Sequence, residues 1–513
     1  MGPEGTLSQR IGRHGRRPPV TAAGRGRPRR LAAAFLTLAA LATAGGVWWH
    51  GAHAFAIPPQ QGPGVWTNFG HGYGGDFNNQ ADTVLTPANV RHLQERWTVD
   101  VPPCSPCLPH PWGSSSVSGN PVVSAHTLYF GTWEGTVEAV NRLSGHVLWT
   151  ADVAGAHHAM VNNAPALYDG RLYVATTTGR VWALAPHTGK VIWRSPQTVF
   201  PRGVPDAIES SVMPYRGVLY MGLSAMTDIP GELGGEVAVS ARDGRLLWRR
   251  YLYPRGGWDA GSYGTPVLWP QRGLLFLGTS NPLWSHGRVP GRDLYAETIV
   301  GLSMGSGRVA WYYQPTHRHF GDFDFLAGPT FWYGPWHVAM VGDGKKNGTF
   351  YAVNATTGRP VWATNLTPVG SQTLIMAPAA AGYGLLFVPT FDIPLAVLYN
   401  QGFPFDYQPP ATGRLVALSA RTGRIVWSFP MPSAVPDAPV VGDGMVFVAS
   451  SNGEVYALNV RTGQALWWNN YHGQIWRAEA GLTLAGDQLF VPVAAPQGGV
   501  TMFSLASPPR GRG

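Results

Sequence analysis

The chain has 513 residues, of which 44% are hydrophobic and 13% charged, and it contains 66 glycines and 45 prolines. So many glycines and prolines indicate many turns, and no stretch after the N-terminus has the period of a long amphipathic helix, which excludes a coiled coil. The formal net charge is +9, but residues 1–30 hold eight Arg and one Glu and therefore +7 of it. Because the remainder is nearly neutral, the basic charge does not predict nucleic-acid binding.

Residues 1–56 are typical of a secretory signal. The basic stretch is followed by the apolar run LAAAFLTLAALATAGGVWW at 31–49, and AHAFA at 52–56 offers small-residue cleavage sites. The pattern predicts export to the periplasm or the exterior, with the folded domain spanning 57–513. The run at 31–49 is almost long enough to cross a bilayer, so an uncleaved anchor in the cytoplasmic membrane is the alternative.

The two cysteines, Cys104 and Cys107, stand in PPCSPCLPH. In an exported chain this spacing predicts a local disulfide. A metal pair is less favoured because the chain has no second CxxC. Covalent haem attachment would require a His directly after the second Cys, and Leu108 stands there instead.

One twelve-residue frame, which ends in Gly-x-x-x-Trp, recurs seven times between residues 138 and 467. The copies end at Trp149, Trp193, Trp248, Trp311, Trp362, Trp427 and Trp467. A repeat of this period predicts an array of one supersecondary unit rather than an ordinary globular domain.

Each frame is consistent with an apolar inner strand, a tight turn at the Gly, and an outer strand that ends on the Trp. A large indole at that position can fill the space between adjacent sheets and still donate a hydrogen bond. The sequence therefore predicts an all-β fold, a β-propeller of four-stranded blades. Trp97 in LQERWTVDV lies on a strand with no frame before it, and the C-terminal strands have no closing Trp. Pairing of these two ends would complete an eighth blade and close the ring.

The frame resembles the tryptophan-docking motif of the pyrroloquinoline quinone (PQQ) dehydrogenases, the eight-bladed methanol and alcohol dehydrogenases. The segment WTNFGHGYGGDFNNQADTVLTPANVRHLQERW at 66–97 is similar to the opening of those enzymes, and the resemblance extends over roughly residues 66–505. Repeats of this kind also occur in non-catalytic propellers, such as that of the outer-membrane assembly machinery, so the residues of the site must decide the function.

Three segments resemble the family's metal-binding stretches. PGELGGEVAVS at 230–240 implies Glu232 as a ligand, with Glu236 as a nearby rival. GTSNPLW at 278–284 implies Asn281 as a second ligand, and YYQPTHRHFGDFDFLAG at 312–328 implies Asp322 both as the general base and as a further metal ligand. In the family an Asp two residues later, here Asp324, is typical of lanthanide-using members. The resemblance implies Ca²⁺ or a lanthanide, and such oxygen ligands suit a hard cation.

Two further segments resemble the stretches that hold the quinone. DGKKNGTFYAVN at 343–354 implies that Lys346 reaches the quinone oxygens; the chain has only three lysines, and two are in this turn. The family's Trp beneath the quinone corresponds most nearly to Tyr263, with Trp258 close by. The adjacent Cys pair that family enzymes often carry over the quinone is absent, and Cys104 and Cys107 can replace it only if their loop folds over the axis.

The resemblance implies an exported quinoprotein dehydrogenase that oxidises a small-molecule alcohol or a sugar hydroxyl with PQQ and a metal ion. Because the sequence has no CxxCH, electrons are expected to leave to a separate carrier, a cytochrome c or a quinone. The alternative is a non-enzymatic propeller that serves as a binding or assembly scaffold. His157 and His158 are expected to be surface or loop residues, and the apolar insertion at 391–413 is expected to form a lid or docking loop.

Overall fold

The computed structural model describes residues 64–80, 84–101, 117–154, 159–201, 203–204, 206–224, 233–252, 261–281, 294–316, 322–401, 410–471, 480–494 and 498–505. The chain separates into two units, Met1–Ala54 and Phe55–Gly513, and every described residue belongs to the second. The predicted signal segment, both cysteines and the His pair at 157–158 lie outside the described residues. None of the helices in the described ranges is both long enough and apolar enough to span a membrane.

The described strands form eight separate antiparallel sheets, which are the blades of a β-propeller. Blade 1 consists of β2 (Val122–Val123), β3 (Thr127–Gly131), β4 (Thr136–Asn141) and β5 (Val147–Asp152). Blade 2 consists of β6 (Ala166–Tyr168), β7 (Arg171–Ala175), β8 (Val181–Leu184) and β9 (Val191–Arg194). Blade 3 consists of β10 (Met213–Tyr215), β11 (Val218–Leu223), β12 (Gly235–Ser240) and β13 (Leu246–Tyr251). Blade 4 consists of β14 (Val267–Trp269), β15 (Leu274–Gly278), β16 (Ile299–Ser303) and β17 (Val309–Tyr313).

The second half of the ring repeats this order, with one enlarged blade. Blade 5 consists of β18 (Thr330–Tyr333), β19 (Ala339–Gly344), β20 (Thr349–Asn354) and β21 (Pro360–Asn365). Blade 6 consists of β22 (Ser371–Leu374), β23 (Ala380–Gly382), β24 (Leu385–Pro394), β25 (Thr412–Ser419) and β26 (Ile425–Met431), and the helix α1 (Leu395–Gln401) follows β24. Blade 7 consists of β27 (Val440–Gly442), β28 (Met445–Ala449), β29 (Glu454–Asn459) and β30 (Ala465–Asn470). Single turns of 3-10 helix occur at Val90–His92, Pro270–Arg272 and Pro335–His337.

Blade 8 is built from both ends of the domain, as predicted. It consists of β31 (Thr483–Ala485), β32 (Gln488–Val493), β33 (Gly499–Leu505) and β1 (Leu93–Asp100). The N-terminal strand β1 supplies the outer edge and pairs with β33 from Leu93↔Leu505 to Asp100↔Gly499. The prediction of an eight-bladed ring that closes through the Trp97 strand is therefore confirmed.

The eight docking tryptophans lie on the outer strands and join each blade to the next. The six-membered ring of Trp311 lies against Gly358 of blade 5, where an added Cβ would approach Cε3 to 2.5 Å. The indole N–H of Trp311 donates to the carbonyl of Ala355 at 3.0 Å. The same stacking on the glycine of the following frame recurs for Trp97, Trp149, Trp193, Trp248, Trp362 and Trp427. The glycine is needed for two reasons, because its φ is positive and because a ring occupies the place of a side chain.

The segment 64–80 runs along the innermost strands of the ring. Its backbone exchanges hydrogen bonds with Val123 of blade 1 and accepts others from blades 2, 4, 5, 6 and 7, through Leu167, Leu268, Phe331, Ala381 and Val441. Tyr73 packs edge-on against Tyr215 of blade 3, and Asn79 donates to the carbonyl of Leu484 in blade 8. One short segment thus contacts all eight blades close to the axis.

Because of the docking contact, we expect Gly358→Ala to lower the free energy of unfolding. The methyl group must occupy the place of the Trp311 ring at a φ of 68°. Gly273→Ala is the matched control, because its φ is 62° and an added Cβ meets nothing within 4 Å. We expect the control to lose about 1–2 kcal/mol of unfolding free energy from backbone strain, and Gly358→Ala to lose a further ~1–3 kcal/mol from overpacking. Urea unfolding followed by tryptophan fluorescence measures both, and equal losses would contradict the docking role.

Candidate functional site

The predicted site residues of blades 4 and 5 lie at one face of the ring. In an antiparallel blade, the end of the second strand and the start of the first strand point to the same face. Asn281 follows the second strand of blade 4, Asp322 and Asp324 lie on the link into blade 5, and Lys346 follows the second strand of blade 5. We call the stretches 278–281, 322–328 and 344–349 the three site segments.

Backbone hydrogen bonds hold the site segments together. The amide of Phe325 donates to the carbonyl of Thr279 at 3.3 Å, and the amide of Lys346 donates to the carbonyl of Asp324 at 3.0 Å. The side chain of Asn281 adds a third connection. Its Nδ2 donates to Oδ1 of Asp322 at 2.7 Å, while its Oδ1 accepts from the amide of Phe323 at 3.2 Å.

The ammonium of Lys346 bridges the two aspartates. Its Nζ lies 2.7 Å from Oδ1 of Asp322 and 2.9 Å from Oδ1 of Asp324. Burial alone would lower the pKa of Lys346, but the charges of Asp324 and Asp322 outweigh it and raise the pKa above its usual value. The lysine is therefore a fixed cation at this position.

The two carboxylates differ in their access to solvent. The side chain of Asp322 is 63% exposed, whereas that of Asp324 is 2% exposed. Asp322 can therefore meet a molecule that arrives from outside, and Asp324 can only act on groups already inside the site. A neighbouring buried acid, Asp343, has a pKa well above its usual range because of burial and, to a smaller extent, because of the Asp324 charge.

The residues present fit an anionic quinone and a hard cation in their chemistry. The amide oxygen of Asn281 and the carboxylates of Asp322 and Asp324 are oxygen donors of the kind that Ca²⁺ and lanthanides take. The ammonium of Lys346 supplies positive charge between the two carboxylates. Across the described ranges, His, Cys, Asp and Glu nowhere gather in threes close enough to hold a metal.

The remaining predicted residues are placed only in part. Tyr263 is buried on the link that leads into the first strand of blade 4, a position on the same face. Glu232, Trp258, Cys104 and Cys107 fall outside the described residues. Glu236, the rival to Glu232, is fully buried on β12 opposite Gly222, and burial raises the pKa of its carboxyl well above the usual range.

The beginning of the predicted insertion contains an ion pair between a partly buried arginine and a buried aspartate. Arg414 of β25 binds Asp392 of β24 through Nε at 2.7 Å and Nη2 at 3.0 Å. Beyond it, Val397 and Leu398 of α1 pack in one apolar cluster with Leu326, which belongs to a site segment. The described part of the insertion thus lies beside the candidate site, and residues 402–409 are outside the description.

A second buried cation, which no sequence motif predicted, lies next to the site. Lys345 pairs with Glu297, and both side chains are 1% exposed. Burial lowers the pKa of Lys345, although the charge of Glu297 opposes the shift. The available signals were the Lys doublet at 345–346 and an acidic residue, Glu297, two positions before the apolar strand that begins at Ile299.

The fold and the site together define an eight-bladed propeller of the docking-tryptophan class, with a charged site on one face. Two family profiles match the chain. One, described as outer membrane protein assembly factor BamB, matches residues 82–281 and 346–507. The other, described as the β-propeller domain of glucose, ethanol and alcohol dehydrogenases, matches residues 237–380. The chain belongs to the family of PQQ-type β-propellers, which includes the quinoprotein alcohol dehydrogenases.

Individual proteins are similar along most of their length. The quinohemoprotein alcohol dehydrogenase ADH IIB of Pseudomonas putida is 26% identical over 87% of this chain and 75% of its own length. The quinoprotein alcohol dehydrogenase PedH of Pseudomonas putida is 23% identical over 75% of this chain and 78% of its own. The solved quinohemoprotein alcohol dehydrogenase of Comamonas testosteroni superposes with a TM-score of 0.72 at 20% identity, covering 87% of this chain and 81% of that one. A europium-containing methanol dehydrogenase superposes with a TM-score of 0.68 at 18% identity, over 86% and 91%.

Proposed function

We propose that the protein is an exported quinoprotein dehydrogenase that oxidises the hydroxyl of an alcohol or sugar with PQQ and a bound Ca²⁺ or lanthanide ion. The observation that carries the proposal is the Lys346 ammonium held between Asp322 and Asp324, with Asn281 bonded to Asp322. The family membership, and relatives that are named alcohol dehydrogenases, support the same reaction class. Electrons pass to a separate carrier, for which the name of one relative, 1-butanol dehydrogenase (cytochrome c), suggests a cytochrome.

The environment of each site residue indicates whether it binds the quinone, binds the cation or accepts the substrate proton. When bound, PQQ would take up the two electrons of the substrate as one hydride, and the cation would supply Lewis-acid polarisation. Lys346 would offer positive charge to the tricarboxylate quinone, and the predicted aromatic residues Tyr263 and Trp258 would offer it a stacking surface. Asp324, Asn281 and Glu232, together with Asp322, would supply oxygen ligands for the cation. Asp322 is the exposed carboxylate, and its free lone pairs can accept the proton of the substrate hydroxyl.

A scaffold without enzymatic activity is the second candidate. The profile that covers the larger share of the chain carries the description of an assembly factor, and Tyr263 stands where quinone enzymes usually have a Trp.

Uptake of PQQ by the purified protein distinguishes the dehydrogenase from the scaffold. We expect the protein to take up PQQ stoichiometrically in the presence of Ca²⁺ or a lanthanide and to show the quinone absorbance. An absence of uptake with every cation would leave the scaffold as the better interpretation.

Asp322→Asn tests the proton acceptor. The amide keeps an oxygen near the cation position but cannot take up the hydroxyl proton. We expect PQQ to remain bound while dye-linked alcohol oxidation falls by about 10²–10⁴-fold, the usual contribution of a general base. Steady-state turnover and quinone absorbance are measured on the same sample. A turnover near that of the wild type would mean that the proton is taken by another group.

Asp324→Ala tests the choice of cation. Removing a buried carboxylate lowers the negative charge around the site, which penalises a trivalent ion more than a divalent one. We expect the ratio of lanthanide to Ca²⁺ affinity, measured by competitive titration, to fall by at least tenfold. Asp324→Asn keeps the volume of the side chain and is expected to shift the ratio in the same direction. An unchanged ratio in both variants would exclude Asp324 as a ligand.

A further inference from the structure

Lys345 and Lys346 are adjacent in one turn but lie in different surroundings. Consecutive side chains at the end of a strand point to opposite sides. Lys346 reaches the two aspartates, whereas Lys345 is buried, donates to Oγ1 of Thr316 at 2.5 Å and forms an ion pair with Glu297. Its ammonium also lies 6.0 Å from the centre of the Phe325 ring, and Phe325 belongs to a site segment.

Glu297 belongs to a loop that is closely tied to the Asn281 segment. Its amide donates to the carbonyl of Ser280 at 2.9 Å, directly before Asn281. The hydroxyl of Thr279 donates to the carbonyl of Tyr295 at 2.5 Å and accepts from the amide of Thr298 at 2.9 Å. Both Tyr295 and Glu297 have positive φ values, 75° and 47°. Such conformations persist only where surrounding contacts enforce them.

We propose that Lys345, through its buried pair with Glu297, is a positioning residue that fixes the three site segments relative to one another. The pair spans blades 4 and 5, and Thr316 connects it to the chain that leads towards Asp322. Because both charges are out of water, each ammonium or carboxylate left without its partner would carry a large desolvation penalty, so the pair tolerates little displacement. The pair with Glu297 keeps the ammonium of Lys345 out of the site. Of the two lysines, only Lys346 is therefore positioned to contact a ligand. The role assigned to the pair rests on the proposed function.

The test compares Lys345→Met with Arg142→Met. Arg142 is a second buried cation that joins two blades, because it belongs to blade 1 and donates to Gln488 at 2.6 Å and to the carbonyl of Ala485 at 2.8 Å, both in blade 8. Each substitution replaces a buried interblade cation by an apolar side chain of similar length. Hydrogen–deuterium exchange of the peptides that cover 278–281 and 322–328 is measured at a temperature well below the unfolding midpoint. PQQ affinity in the presence of Ca²⁺ is measured on the same preparations.

We expect Lys345→Met to accelerate exchange in these peptides at least tenfold and to weaken PQQ binding by about 10–100-fold, as loss of an orienting partner does in metal sites. Arg142→Met, with a similar loss of thermal midpoint, should change neither. The double variant Lys345→Met/Glu297→Gln removes both charges, so it should recover stability without recovering PQQ affinity. It also decides the matter if the single variant fails to fold.

Three results distinguish a failure of the positioning role from a failure of the proposed function. Equal exchange in the Lys345 and Arg142 variants would overturn the positioning role, and so would a double variant that regains full PQQ affinity together with its stability. A wild-type protein that binds no PQQ with Ca²⁺ or a lanthanide would overturn the proposed function instead. The exchange comparison would still decide whether Lys345 fixes the segments, because it requires no ligand.

Discussion

The contact on which the rest of the structure depends is the stacking of an indole on the glycine of the following blade. A single four-stranded sheet of this size cannot bury both of its faces, so each blade is stable only against its neighbours. The ring of Trp311 on Gly358 sets the distance and angle between blades 4 and 5. Those are the blades that carry the three site segments. The geometry of the charged site is thus a consequence of a contact made at the outer edge of the ring.

Closure of the ring connects the first and last parts of the domain in one blade. β1 completes blade 8, which lies halfway round the ring from blade 4. The segment 64–80 adds hydrogen bonds and ring contacts to the innermost strands of all eight blades. The outer tryptophans and this inner segment therefore restrain the blades at two radii. Such a frame can hold side chains from distant parts of the sequence in one arrangement, as a ligand site requires.

Each buried charge at the site has a partner of opposite sign. Glu297, Asp322 and Asp324 contact Lys345 and Lys346, while burial raises the pKa of the neighbouring Asp343 well above its usual range. In a medium of low dielectric constant, buried charges survive only when they are paired. Because their partners differ, the two lysines have different roles. One is enclosed between blades, and the other is left beside the exposed carboxylate of Asp322, where a molecule from solution can reach it.

The sequence by itself determined the repeating unit, the number of blades and the residues that dock them. The reason is that each docking frame contains a Gly and a Trp four residues apart, and this pair recurs along the chain. It also marked Asn281, Asp322, Asp324 and Lys346 through local motifs. Only the tertiary structure decided that Lys346 bridges both aspartates and that Asp324 is buried while Asp322 is exposed. Only it revealed the Lys345–Glu297 pair, since the partners are 48 positions apart and no local pattern relates them. Burial and contact between blades depend on how the whole ring closes, and that information is not contained in any short stretch of residues.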